Sequence, residues 1–319
     1  MSLPQIFDNL TIPVVAAPMF IASGPQLVAA QCQAGIVGSF PALNARPQGL
    51  LNDWLQQIAE SNSSFAAANP HRTVAPFAVN QIVHRSNARL DDDMAVIVHH
   101  RVPIVITSLG ARPEINDAVH SYGGIVLHDV INDAFARKAV ERGADGIVAV
   151  AAGAGGHAGT LSPFALVQEI RRWFNGPLLL SGSIANGRSV LAAEALGADL
   201  AYVGSAFLAT HEANVTAEYK QMIVESTASD IVYSNLFTGV HGNYLRGSIA
   251  ASGLNPDDLA TSDPSIMDFG SGGGITAKAW RDIWGSGQGI GAVDSVVSAA
   301  DVVARVKAEY DEARARIAP

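Results

Sequence analysis

Cysteine is nearly absent from this chain: Cys32 is the only one in 319 residues. Intrachain disulfides and cysteine-rich metal sites are thereby excluded, and the usage predicts a reducing cytoplasm. Cys32 itself falls in the apolar run Leu27-Val28-Ala29-Ala30-Gln31-Cys32, where it reads as a small buried side chain. Charge is also sparse, at 15% of residues against about 25% in an ordinary soluble domain. With 49% hydrophobic residues, this predicts a large core and a sheet covered on both faces. Basic residues number 20 against 29 acidic ones, a net charge of −9. Neither a nucleic-acid backbone nor an anionic membrane is therefore expected as a partner. No apolar run approaches the ~20 residues of a membrane span. Met1-Ser2-Leu3-Pro4-Gln5-Ile6-Phe7-Asp8 lacks the basic and apolar regions of a secretory leader, so none is expected.

What the chain does contain is alternation. Short apolar runs predict strands over Ile12–Met19, Ile36–Phe40, Phe77–Gln81, Ile104–Leu109, Gly124–Val130, Gly146–Ala151, Pro177–Ile184 and Leu200–Phe207. Helical patterns separate them at Gly24–Ala34, Leu50–Ser61, Leu90–His100, Pro113–Tyr122, Asn132–Arg142, Pro163–Phe174 and Arg188–Leu196. Eight strand–helix units predict a (β/α)8 TIM barrel rather than an open sheet. Two junctions repeat one another, Gly143-Ala144-Asp145 and Gly197-Ala198-Asp199, each with glycine at a helix end. After Phe207 the rhythm breaks. A helix is expected over Ala213–Glu225, followed by Gly-, Ser- and Asn-rich loops including Ser271-Gly272-Gly273-Gly274. A final amphipathic helix is expected over Val293–Ile317. Residues 1–210 and 291–319 are thus assigned to the barrel. Residues 211–290 are assigned to an inserted, mostly helical lid that shapes the substrate pocket.

A barrel carries its active site at the C-terminal ends of its strands. Polar or small residues recur there: Ala17-Pro18-Met19, Asn80-Gln81, Thr107-Ser108, His128-Asp129, Ser181-Gly182-Ser183 and Gly204-Ser205. The last two follow the seventh and eighth strands, where glycine backbone and a helix N-terminus favour a phosphate. Strand six runs into Gly153-Ala154-Gly155-Gly156-His157-Ala158-Gly159, four glycines around one imidazole. On its own, His157 is either a buried histidine satisfied by a carbonyl or a catalytic group. His128 divides between a cofactor neighbour and a packed residue, with Asp129 to orient it. His241 and Tyr244 in the insertion are candidates for substrate contact, and Gln288 for touching cofactor or substrate. The adjacent His99-His100 point different ways from a helix, so no metal site is expected.

In order and spacing, these segments together with Ala78-Val79-Asn80, Ser183-Ile184-Ala185-Asn186-Gly187-Arg188 and Ala195-Leu196-Gly197-Ala198-Asp199 resemble the nitronate monooxygenase family. The likeness runs over about residues 10–212. It implies an FMN-binding barrel in which Ala17, Pro18 and Met19 line the flavin ring. It also implies that Asn80 and Gln81 bond the ring's polar edge and that Gly156 lies against it. Ser181, Gly182, Ser183, Gly204 and Ser205 would hold the phosphate, with His157 as the catalytic histidine. Departures are visible: Gly204-Ser205-Ala206-Phe207 lacks the arginine of the commoner Gly-Thr-Arg-Phe, and His128-Asp129 stands where several relatives place a lysine or another basic residue. The implied reaction is oxidation of an alkyl nitronate by O2 to a carbonyl compound and nitrite, with a homodimer compatible with the family. One alternative keeps FMN but uses NAD(P)H to reduce quinones or enoyl thioesters. Another is a non-redox barrel that binds a phosphorylated ligand.

Overall fold

The computed structural model describes residues 3–262 and 282–317; the Ser271–Gly274 loop lies outside them. Eight parallel strands form the frame: β1 (Val14–Ala16), β2 (Gly38–Pro41), β3 (Phe77–Ile82), β4 (Ile104–Ser108), β5 (Ile125–Val130), β6 (Gly146–Val150), β8 (Leu178–Ser181) and β9 (Leu200–Val203). The two-residue β7 (Gly156–His157) stands apart from them. The hydrogen-bonded order is β1-β9-β8-β6-β5-β4-β3-β2. A parallel bridge between Val15 and Val37 joins the two ends, with the Ala16 N–H donating to the Val37 carbonyl at 2.8 Å. The result is the predicted TIM barrel.

Strand side chains alternate between two apolar environments. Val15, Val37, Ala78, Ile106, Leu127, Val148, Leu179 and Leu200 fill the barrel interior. Val79, Val105 and Val126 turn outward and meet Leu51, Leu55, Ile58, Met94 and Ile97. The outer layer comprises α1 (Pro25–Gln33), α2 (Leu50–Ala68), α3 (Leu90–His99), α4 (Pro113–His120), α5 (Asp133–Glu141), α6 (Pro163–Arg171) and α7 (Gly187–Leu196). No helix among the described residues is long and apolar enough to cross a membrane.

The repeated Gly-Ala-Asp junctions have a shared geometry. Gly143 and Gly197 take φ of 97° and 109°, the left-handed conformation that ends a helix without a Cβ clash. Two residues later, Asp145 accepts from the Val126 N–H (2.7 Å) and Asp199 from the Leu178 N–H (2.8 Å). Each carboxylate fastens the incoming chain to the neighbouring strand.

The segment after β9 differs from expectation. The helix α8 (Ala217–Glu225) begins four residues later than expected, because the Thr216 hydroxyl accepts from the Tyr219 N–H and caps it. Where a mostly helical segment was expected, β10 (Ile231–Ser234) and β11 (Gly242–Leu245) pair antiparallel, and β11 pairs with β7. Gly242 sits opposite His157 and Asn243 opposite Gly156. A short α9 (Arg246–Ala251) follows, and the last helix, α10, spans Ala299–Ile317 against α7 and α1.

Candidate active site

A cavity of about 1240 Å³ opens at the C-terminal ends of the barrel strands. Ala17, Pro18 and Met19 line it from the end of β1, Asn80 from β3, and His128 and Asp129 from β5. Gly156 and His157 line it from β7, Ser181, Gly182 and Ser183 from β8, and Gly204 and Ser205 from β9. Residues up to 188 apart in sequence thus converge on one space, as the strand-end pattern predicts (17 to 205).

His157 is half-buried and held by the sheet that β7 forms with β11. Its Nε2 lies 3.0 Å from the Thr238 hydroxyl. That hydroxyl donates its one proton to the Val240 carbonyl at 2.9 Å, so towards the imidazole it acts as acceptor. The ring proton therefore sits on Nε2 and the basic lone pair on Nδ1. Burial pushes the histidine down to about 4, so the imidazole is neutral near pH 7.

The ends of β8 and β9 are neutral and rich in donors. Gly182 and Ser183 take successive positive φ values of 136° and 58°, and the Ser183 N–H donates to the Gly153 carbonyl at 3.3 Å, so Ser183 has its hydroxyl to offer to the cavity. Ser205 Oγ accepts from the Gly287 N–H at 2.8 Å, which leaves its own O–H to donate into the cavity. The expected contribution of the following helix N-terminus is not seen at α7. There the Gly187 N–H donates to the Glu309 carboxylate of α10 at 2.8 Å, and the Asn186 side chain accepts from the Ser189 N–H at 2.9 Å.

On the opposite wall, Asn80 Nδ2 donates to Ser108 Oγ (2.7 Å), and Ser108 Oγ donates to Asp129 Oδ2 (2.6 Å). His128 belongs to the other face of β5, where Nδ1 meets the Thr107 hydroxyl at 2.6 Å. Adjacent strand residues point to opposite sides, so Asp129 does not orient His128. Burial pushes His128 down to about 4. Its unfolded value is near 6.5, so the unfolded chain binds the extra proton, and stability falls as pH drops from about 6.5 to about 4. His128→Gln should therefore remove an acid-induced loss on the order of 3 kcal/mol. Urea unfolding of both proteins at about pH 7 and about pH 4.5 measures it; an equal loss in the two would refute the burial of a neutral His128.

Three expected site residues are placed elsewhere. Gln81 is fully buried on the outward side of β3 with Val79 and Val83, and its amide finds no partner among the described residues. Tyr244 is a core residue of the β10–β11 segment, packed edge-on against Phe237 with ring centroids 4.9 Å apart. Gln288 packs over the Gly153 turn, its N–H donating to the Gly153 carbonyl at 2.9 Å. His241 does line the cavity and stacks on Tyr233 at 5.1 Å. Reading the sequence missed Thr238, which lies 81 residues from His157. It also missed Tyr202, whose inward position on β9 follows from strand alternation.

Fold and site together define a TIM-barrel enzyme whose large cavity is faced by His157 and by the hydroxyl-lined ends of β8 and β9. The nitronate monooxygenase family profile matches residues 4–309, and the chain belongs to that family of flavin-dependent oxidoreductases. A candidate monooxygenase of Mycobacterium tuberculosis is 31% identical over 225 residues, which are 66% of this chain and 60% of that protein. A nitronate monooxygenase of Paraburkholderia phytofirmans is 26% identical over 309 residues, covering 84% of this chain and 82% of its own. The solved structure of a nitroalkane oxidase from Streptomyces ansochromogenes superposes with a TM-score of 0.80 at 23% identity, over 98% of this chain and 99% of that one. That last likeness concerns the fold.

Proposed function

We propose that the chain binds FMN and oxidises alkyl nitronates with O2 to a carbonyl compound and nitrite, with His157 as the catalytic base. The observation that carries the reading is a neutral imidazole on a small sheet, lining the same cavity as the hydroxyl-bearing ends of β8 and β9. The residues fit the cofactor. Gly182, Ser183, Gly204 and Ser205 offer backbone and hydroxyl donors to a phosphate, and Ala17, Pro18 and Met19 offer an apolar wall to a flat ring. Bound FMN supplies the redox chemistry. The chain's own residues orient the substrate and handle its proton: His157 Nδ1 takes or holds the proton at the carbon next to the nitro group, and Thr238 fixes the ring's tautomer. In this reading β10 and β11 help to shape the substrate pocket, since β11 pairs with the strand that carries His157.

The purified protein should be yellow and should consume O2 when given a nitronate. A colourless protein would return the fold to a non-redox phosphate-binding role. Fast flavin bleaching by NADH under anaerobic conditions, without nitronate turnover, would overturn this reading in favour of an NAD(P)H-dependent reductase of quinones or enoyl thioesters.

A further inference from the structure

The cavity floor holds a hydrogen-bonded row that this chemistry leaves unused. Asn80 Nδ2 donates to the Ile106 carbonyl (3.0 Å) and to Ser108 Oγ (2.7 Å), which uses both amide hydrogens. Ser108 accepts there, so its single proton goes to Asp129 Oδ2 at 2.6 Å. Donor counting thus fixes the direction of the row. One carboxyl oxygen of Asp129 is engaged by the strand wall, and Oδ1 is left as the oxygen where a proton comes and goes. All three residues line the cavity from the neighbouring strands β3, β4 and β5. Tyr202 on β9 is near enough that the charge of Asp129 acts on its phenol.

We propose that Asp129 sets the redox balance of the flavin: its carboxylate disfavours the electron-rich reduced ring, and it takes up a proton as the ring is reduced. This inference rests on the flavin reading above. A bound flavin would draw its electrons, and the proton its own ring needs, from substrate and solvent; the further proton that Asp129 takes up comes from solvent and forms the carboxyl O–H. A negative charge in a partly dry cavity opposes the arrival of electrons far more than the same charge in water. Burial supports the reversible protonation by pushing the carboxyl up to about 6, against the pull of the Ser108 hydrogen bond. The neighbouring groups do not mask it. His128 and His157 are pushed down to about 4 by burial, and the Tyr202 phenol is pushed up by burial and by Asp129 itself. Arg46 and Lys138 line the cavity as cations, and His84 and His241 share it.

The test titrates the FMN-loaded protein with a reductant against a redox dye, from about pH 5 to about pH 8. At the alkaline end, Asp129→Asn should raise the equilibrium constant for two-electron reduction about tenfold, or about 30 mV. At the acid end, a protonated aspartic acid and an asparagine carry the same charge, so the two proteins should agree within about twofold. Ser108→Ala withdraws a hydrogen bond from the ionised carboxylate and should move the wild-type break to higher pH. His84→Gln and His241→Gln should leave the break in place. Should Asp129→Asn fail to fold, the wild-type break and its shift in Ser108→Ala decide alone. A yellow protein whose Asp129→Asn variant shows no offset, or the same offset at every pH, overturns the proposal alone. A colourless protein overturns it together with the flavin reading.

Discussion

His157→Asn is expected to lower kcat on nitronate by a factor on the order of 10²–10⁴, the usual worth of a positioned general base, while FMN stays bound. The residue lies on β7 and its Nε2 meets Thr238 rather than the ends of β8 and β9, so flavin content should be unchanged. Asparagine can still donate to the Thr238 hydroxyl, which keeps the local hydrogen bond, but it has no lone pair basic enough to take a carbon-bound proton. The pH profile adds a second signature. Burial holds the imidazole at about 4, so the base is competent above that pH and is lost as pH falls through it. The wild-type profile should drop on that acid limb, and the variant's should not follow the same limb. Oxygen uptake and the visible flavin band, measured on the same samples, separate lost turnover from lost cofactor. A variant within about twofold of wild type would remove His157 from catalysis.

The parts of this structure that repeat were the parts legible in the sequence. Apolar runs buried on both faces announce parallel strands whatever their neighbours are, and the two Gly-Ala-Asp junctions marked helix ends correctly. The repeat did not disclose that Asp145 and Asp199 fasten a neighbouring strand, because that requires knowing which strand lies alongside. Strand ends were read too long. Ile12–Met19 shrinks to Val14–Ala16, and Leu200–Phe207 to Leu200–Val203 followed by a tight turn. Where apolar chain leaves the barrel to line the mouth, hydrophobicity persists and pairing stops. The opposite error occurred at α2. Ser61-Asn62-Ser63-Ser64 reads as a helix stop, yet the helix runs to Ala68, with the Gln33 side chain donating to Ser61 Oγ at 3.0 Å and the Arg72 guanidinium over the Phe65 ring.

At the site, residues adjacent in sequence were read as partners although a strand sends them to opposite faces. Asn80 enters the cavity and Gln81 leaves it; His128 and Asp129 both border it, but the His128 ring bonds Thr107 and not Asp129. Thr238 was not legible at all. Its role exists only because β11 closes on β7, and a threonine in a loop carries no local mark of that.

Gly187→Ala is expected to cost about 3 kcal/mol of stability, the upper end of the usual range for overpacking in a core, though the position lies outside the cavity. A Cβ on Gly187 would lie 2.0 Å from the Tyr310 nitrogen, 2.3 Å from the Val306 carbonyl oxygen and 2.6 Å from the Glu309 carbonyl carbon. All three are backbone atoms of α10, so no side-chain rotation relieves the contact. The first turn of α7 and the middle of α10 must separate. Doing so loosens Val302, Val303, Val306 and Tyr310, which are nearly fully buried. It also stretches the 2.8 Å bond from the Gly187 N–H to the Glu309 carboxylate, leaving a helix-terminal donor and a carboxylate less well paired. Because α10 covers the outer faces of α7 and α1, the loss should appear as a lower midpoint in thermal or urea unfolding and earlier proteolysis within α10. Turnover per bound flavin at low temperature should remain near wild type, since the strand ends that build the cavity are not touched. A midpoint unchanged by the substitution would mean that α10 does not pack this closely on α7.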